Sequence, residues 1–364
     1  MKIVVFTCST GGGHNSCAKY IAEEFNKYGI HADVEDYMLL AGDKASGRAE
    51  KLYLGSTKGN GNIFKTVYKL GELYNKTGIK SPVYGFNKMV VKKLDKFLLD
   101  NSYDLAIGTH VFPCMALTEL KKKRNIKFIN VATDYECIPF WNETNPDVFV
   151  IPSNKLIDRF VEKGINKDVL LPIGIPVASS FFEVKNNLDL PSDKDIILLT
   201  SGSMGFGEME NCVLKILNDI DAYLVTVCGS NIELKNKLDS IDNDNLIVKG
   251  FINNMNEYMN KANVIIAKPG GLTSTEITMM RKPFVLMMPI PGVENYNASF
   301  FENNKMAVRA KTLDEVVSLT KKILLDKTLQ EEMINNQAKY INRNSAKDLV
   351  DYVIENYKGC EDNE

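Results

Sequence analysis

The sequence predicts an α/β protein built from two parallel-sheet domains in tandem. Short apolar, β-branched runs alternate with longer stretches of helical periodicity, the pattern of strands covered by helices on both faces. That pattern is interrupted once by a polar stretch and then restarts. The 364 residues also exceed what a single ordinary core organises.

In the first half, Ile3–Phe6 reads as a buried strand and Ser16–Tyr28 as the helix after it, with Cys17, Ala18, Ile21, Ala22 and Phe25 at apolar or small positions. Ala32–Glu35, Leu105–Gly108, Lys127–Val131 and Val148–Ile151 follow as strands, the last leading into a helix over about Asn154–Lys163. Leu171–Ile175 then passes through Pro176 towards a polar stretch, Lys185–Asp195, whose Pro191 and several Asn and Asp residues suit an interdomain linker. The second half gives strands at Ile196–Thr200, Tyr223–Cys228, Leu246–Lys249, Val264–Ala267 and Phe284–Met287, with helices over Glu208–Asn218 and Asn254–Met259. The expected organisation is therefore a domain over 1–180, a linker over 181–192, a domain over 193–345 and a C-terminal helix and tail over 346–364. Which domain that helix joins is open.

Composition narrows the function. Hydrophobic residues at 45% and charged residues at 25% fit a folded globular chain, and the net charge of -2 argues against a dedicated nucleic-acid binder. The apolar run Ile3–Cys8 is too short for a secretory leader, and no run approaches the ~20 residues that span a bilayer. The seven cysteines are scattered, odd in number and without a CxxC pair, and the histidines are His14, His31 and His110. Reduced thiols, a cytoplasmic location and no metal site are the expectation.

Residues 58–99 are locally basic, with nine lysines against Glu72 and Asp95. Ile63, Val67, Leu70 and Tyr74 recur at helical spacing, as do Phe86, Val90, Leu94 and Phe97, with a break at Gly78, Ser81 and Pro82. Two ordinary helices covering the first sheet would show this pattern. So would a basic amphipathic surface resting on anionic lipid.

Four loops follow strands and carry the residue types of a nucleotide site. Thr7–His14 turns on Gly11, Gly12 and Gly13 into a helix start, where amide donors are unpaired, and places an imidazole, His14, at the carboxyl edge of a sheet. Its spacing matches neither GxGxxG nor GxxxxGK[ST]. Thr200–Gly207 offers Gly202, Gly205 and Gly207 beside Ser201 and Ser203, a ring of donors without bulk. In Lys268–Glu276, Gly270 and Gly271 allow close backbone approach. There Thr273 and Glu276 have the spacing of a capping box, while the same carboxylate could accept ribose hydroxyls. Pro289–Asn297 presents Glu294, Asn295 and Asn297, side chains able to hydrogen-bond a hexose.

In this order, these stretches resemble the MurG-like glycosyltransferases, and most closely their glycolipid branch, the monogalactosyldiacylglycerol synthases and processive diacylglycerol glucosyltransferases. The likeness covers nearly the whole chain: GGGHNSCA at 11–18, THVFP at 109–113, ATDY followed by Trp141, GIP at 174–176, and above all KPGGLTSTE with PIPGVENYNA. The resemblance implies a GT-B fold and inverting, metal-independent transfer of a hexose from a UDP-sugar to a diacylglycerol-type lipid, with no cofactor. It implies a peripheral position at the inner face of the cell membrane, contacted through 58–99. By motif position, His14 looks like the general base or an acceptor-positioning group, with His110 and Asp134 beside the acceptor. Gly202, Ser203 and Met204 would lie near the donor phosphates, Gly270, Gly271, Leu272 and Thr273 would add contacts, and Phe251, Ile252 and Met255 would flank the uracil. Glu276 would take the ribose, and Glu294 and Asn295 the hexose. Val293 stands where the glycolipid branch commonly has Gln, so the sugar is open, and Ile138 stands where the family often has His. A lipid-linked or soluble glycan acceptor, a UDP-N-acetylglucosamine 2-epimerase and a nucleotide-sugar binding protein are the competing readings.

Overall fold

The computed structural model describes residues 1–8, 12–41, 81–184, 188–200, 209–287, 289 and 292–357. The chain divides into two units. One takes the chain up to Ser179 and the segment from Arg343 onward, and the other takes most of what lies between.

In the first unit, six strands form one parallel sheet: β1 (Lys2–Thr7), β2 (His31–Asp36), β3 (Leu105–Gly108), β4 (Lys127–Val131), β5 (Val148–Val150) and β6 (Leu170–Leu171), in the order β2-β1-β3-β4-β5-β6. The buried apolar runs of β1, β3 and β5 are those of strands covered on both faces. α1 (Gly12–Lys27) buries Cys17, Ala18, Ile21, Ala22 and Phe25, the residues its period selects. It begins at Gly12, ahead of the expected Ser16, so His14 lies in its first turn. α2 (Tyr37–Ala41) is short, and α3 (Pro82–Asp100) starts where the sequence breaks, with Ser81 as N-cap accepting from the Tyr84 amide and Pro82 in the first turn. Val90, Leu94 and Leu98 are buried in a core shared with α4 (Val111–Lys121), so this half of the basic segment packs on the first domain. The other expected helix, at Ile63–Tyr74, lies outside the described residues. α5 (Ile157–Glu162) completes this part of the unit.

The second unit repeats the plan. Its strands β7 (Ile196–Thr200), β8 (Tyr223–Val227), β9 (Leu246–Lys249), β10 (Val264–Ala267), β11 (Phe284–Met287) and β12 (Val308–Ala310) lie in the order β9-β8-β7-β10-β11-β12, all parallel. Its helices are α6 (Met209–Asp219), α7 (Ile232–Asp239), α8 (Met255–Lys261), α9 (Gly271–Met279), α10 (Val293–Asn303), α11 (Leu313–Leu325) and α12 (Lys327–Tyr340). This is the dinucleotide-fold strand order, and its direction of winding reverses between β7 and β10. The first sheet reverses between β1 and β3.

The C-terminal helix α13 (Ser345–Tyr357) joins the first unit and packs on α1. The GIP stretch explains how it is fastened. The Ser345 hydroxyl donates to the Ile175 carbonyl at 2.8 Å, and the Cys17 thiol lies 3.7 Å from the Pro176 carbonyl. Gly174 makes the preceding turn at φ +103°, a conformation that favours glycine. Among the described residues all six cysteines are buried thiols, and no helix is long and apolar enough to cross a membrane.

Candidate active site

In an open parallel sheet, ligands collect outside the carboxyl ends of the strands where the winding reverses. At the first reversal, β1 runs towards the first turn of α1, and β3 ends at Gly108 before Thr109 and His110. This brings His14 and His110 together, their rings edge to face with centroids 4.8 Å apart.

His14 Nδ1 lies 2.8 Å from the Thr109 carbonyl oxygen and 3.0 Å from Thr133 Oγ1. A carbonyl only accepts, so Nδ1 carries the hydrogen and Nε2 keeps its lone pair. Burial lowers the pKa of this imidazole from the ordinary 6.5, while the Asp134 carboxylate and the Thr109 carbonyl pull it back up. The ring is thus an unprotonated base at neutral pH, oriented by a backbone group. Thr109 is itself fixed: buried, with its hydroxyl within 3.3 Å of the Phe6 carbonyl and 3.1 Å of the His14 carbonyl.

His110 has a second task. It is the N-cap of α4, and its Nδ1 accepts the Phe112 amide at 3.2 Å. The hydrogen therefore sits on Nε2. Burial, and then His14, push its pKa well below 6.5, so it stays neutral beside the base. Asp134 follows Thr133 in the connection after β4, and two buried carboxylates anchor that connection. Arg159 Nε donates to Glu136 at 2.9 and 3.0 Å, and Glu143 accepts from the Ser81 amide at 2.8 Å and hydroxyl at 2.9 Å. Trp141 is buried with its ring 4.9 Å from that of Phe149.

At the second reversal the chemistry differs. β10 ends at Ala267, Lys268-Pro269-Gly270 turns, and α9 begins at Gly271 with Gly270 as N-cap and no side-chain cap bond. This corrects the capping-box expectation. Thr273 stands inside the first turn, and Glu276 is the sixth helical residue, buried at 8% exposure. The first-turn amides of Gly271, Leu272 and Thr273 are left without intrahelical acceptors, at the positive end of the helix dipole. Leu272 is itself buried and contributes through its backbone. Gly202, Ser203 and Met204, which follow β7 in sequence, lie outside the described residues.

The Pro289–Asn297 stretch was expected to be a loop, but α10 already begins at Val293. Asn297, expected among the sugar contacts, is fully buried and donates from Nδ2 to the Pro269 carbonyl at 3.1 Å. It ties α10 to the glycine turn instead. Glu294 and Asn295 remain in the first helical turn, partly buried. Asn295 Oδ1 accepts from Arg309 Nη2 at 2.5 Å. Burial lowers the Lys268 pKa, and the Glu294 carboxylate acts against that shift. Phe251 lies in the turn after β9 with 66% of its surface exposed, and Ile252 and Met255 are partly buried beside it in sequence.

Sequence reasoning missed Thr109 and Thr133 as partners of His14, and Lys268 and Arg309 altogether. The first two stood inside the motifs THVFP and ATDY, and Lys268 opens KPGG. Arg309 carried no signal. Among the described residues no three His, Cys, Asp or Glu side chains are grouped to hold a metal.

Paired Rossmann-type domains of this kind form the GT-B architecture. The profile of the monogalactosyldiacylglycerol (MGDG) synthase family matches residues 14–177, and that of the glycosyltransferase family 28 C-terminal domain matches residues 196–353. A processive diacylglycerol beta-glucosyltransferase of Bacillus cereus (strain G9842) is 30% identical over 344 residues, 89% of this chain and 86% of that protein. The crystal structure of Acinetobacter baumannii MurG superposes with a TM-score of 0.63 at 15% identity, covering 97% of this chain and 99% of that one. The UDP-GlcNAc 2-epimerase of Neisseria meningitidis bound to UDP-GlcNAc gives 0.61 at 14% identity, covering 98% of this chain and 100% of that one. At such identities the likeness to the two structures is one of fold. The chain belongs to the MurG-like GT-B glycosyltransferases, the family of the processive diacylglycerol beta-glucosyltransferases.

Proposed function

We propose that this protein transfers a hexose from a UDP-sugar to a diacylglycerol-type lipid at an anionic membrane surface, inverting the anomeric centre. The observation that carries the proposal is the orientation of His14: its Nδ1–H is committed to the Thr109 carbonyl at 2.8 Å, and its Nε2 has no hydrogen-bond partner among the described residues. A base held this way accepts the proton of an acceptor hydroxyl as that oxygen attacks the anomeric carbon. The bond to the UDP oxygen breaks on the opposite face. Charge growing on the departing diphosphate is met by the amides of Gly271, Leu272 and Thr273 at the start of α9 and by the Lys268 ammonium. Gly202, Ser203 and Met204 add donors on the β7 side. No step uses a metal.

The remaining assignments follow from residue chemistry. Uracil stacks on the exposed Phe251 ring with Ile252 and Met255, Glu276 accepts the ribose hydroxyls, and Glu294 and Asn295 bind the hexose. Asp134 and His110 line the acceptor side, where Asp134 supports the imidazolium that forms on His14. The names of the curated relatives point to glucose as the sugar. Membrane contact is assigned to the outer face of α3, where Lys88, Lys92, Lys93 and Lys96 are exposed around Met89 (81% exposed) and Leu99. Each such lysine contributes about 1 kcal/mol near an anionic surface. The cytoplasmic face is the side on which a UDP-sugar and anionic lipid meet.

The test is to incubate the protein with UDP-glucose, UDP-galactose or UDP-N-acetylglucosamine, with and without diacylglycerol vesicles, following UDP release and lipid-linked sugar separately. The proposal expects glycolipid from one UDP-hexose, dependent on vesicles. UDP release with no glycolipid from any donor contradicts it.

A further inference from the structure

The Arg309 side chain occupies an unusual place. It sits in the middle of the edge strand β12, paired to β11 at Leu286. Its neighbours Val308 and Ala310 pack with the core between the sheet and α11, and side chains along a strand alternate between faces. Arg309 therefore projects to the opposite face, towards α10, where Nη2 reaches Asn295 and the buried Nε has no hydrogen-bond partner among the described residues. A partly buried guanidinium with an unsatisfied donor is costly. It adds little to stability by itself, so its use is better sought in what it holds.

What it holds is an amide. A guanidinium has only donors, so the Asn295 atom 2.5 Å from Nη2 is the carbonyl oxygen, and the orientation of the amide is fixed. Nδ2, with its two N–H groups, is left for another partner. One turn of helix thus offers an acceptor, the Glu294 carboxylate, next to a donor, the Asn295 amide. Val293, one residue before Glu294, is apolar and offers no side-chain hydrogen bond.

We infer that Arg309 is a positioning residue for donor selection: it turns the Asn295 amide so that Nδ2 donates to a hexose hydroxyl. This rests on the proposed reading that Glu294 and Asn295 bind the hexose. Arg309 touches no substrate and acts through Asn295 alone.

The test compares wild type, Arg309→Met, Arg309→Lys, Asn295→Ala and the double variant Arg309→Met/Asn295→Ala. Kinetics with UDP-glucose and UDP-galactose on diacylglycerol vesicles are measured beside inhibition by UDP, which has no hexose. Arg309→Met raises the donor KM about tenfold, the size of one lost charge-assisted hydrogen bond, and narrows the preference between the two sugars. UDP inhibition is unchanged, which also shows that the variant is folded. Arg309→Lys recovers part of the loss, and the double variant is no worse than Asn295→Ala. Unchanged donor KM and preference in Arg309→Met, equal loss of UDP and UDP-hexose affinity, or additivity in the double variant overturns the inference. Absence of hexose transfer by the wild type from every donor overturns the underlying reading, and this one with it.

Discussion

The two reversal points of this protein share a fold and divide the chemistry. At the first, between β1 and β3, side chains do the work: His14 is pinned at Nδ1 by a carbonyl and a threonine hydroxyl, with a neutral His110 at its edge. At the second, between β7 and β10, the backbone leads: a helix begins at Gly271 with no side-chain cap, flanked by Lys268 and Glu294. A crevice lined by an oriented imidazole moves a proton, and one lined by free amides holds an anion. The difference teaches that strand order decides where a ligand can sit, while the residues after each strand decide what happens to it.

The sharpest way to break this division is to remove the proposed base. His14→Ala is expected to lower turnover by about 10²–10⁴-fold, the usual worth of a general base, which a continuous UDP-release assay will measure. The next effect is structural and strikes only the first reversal. A methyl group on Gly108 would lie 2.3 Å from Cys114 Sγ, so Gly108→Ala pushes on the start of α4 and on its cap His110. The expected cost is about 1–3 kcal/mol in urea unfolding. Adding Cys114→Ala should recover much of it, and no recovery would mean that the contact is not the cause.

On the other side, Glu276→Gln keeps the volume but removes the charge, and should weaken UDP binding about tenfold by calorimetry while leaving His14 chemistry intact. An unchanged dissociation constant would remove Glu276 from the ribose. The smallest effect is on pH. Burial keeps the His14 pKa below 6.5 and Asp134 raises it, so the neutral base persists into mildly acidic solution. The acid limb of kcat/KM should therefore fall below pH 6.5 in the wild type. In Asp134→Asn it should move lower still, because the carboxylate that raised the pKa is gone. Turnover drops a few-fold because the imidazolium loses its support. Movement of the limb to higher pH would contradict the assigned electrostatics.

Much of the fold was legible because buried parallel strands advertise themselves. Leu105–Gly108, Lys127–Val131, Ile196–Thr200, Leu246–Lys249, Val264–Ala267 and Phe284–Met287 are strands at the expected residues. Val308–Ala310 was not legible, since three residues with a central arginine look nothing like a core strand. Helix starts were misread where a polar motif sat inside the helix. Thr273 to Glu276 has capping-box spacing, but the chain had already entered the helix at Gly271. The site was legible as motifs and not as a network. His14 could be singled out, yet Thr109 and Thr133, 95 and 119 residues away, meet it only because β1, β3 and β4 are neighbours in the sheet. Asn297 shows the converse: a side chain of the right type for a sugar was needed to fasten α10 to the glycine turn.

If the proposed base and the anion cradle act independently, the His14→Ala protein keeps its affinity for UDP. Titrated by calorimetry beside the wild type, the variant should bind UDP with the same dissociation constant, since its second reversal point is untouched. A loss of UDP affinity matching the loss of turnover would contradict the account, and would make His14 part of donor binding.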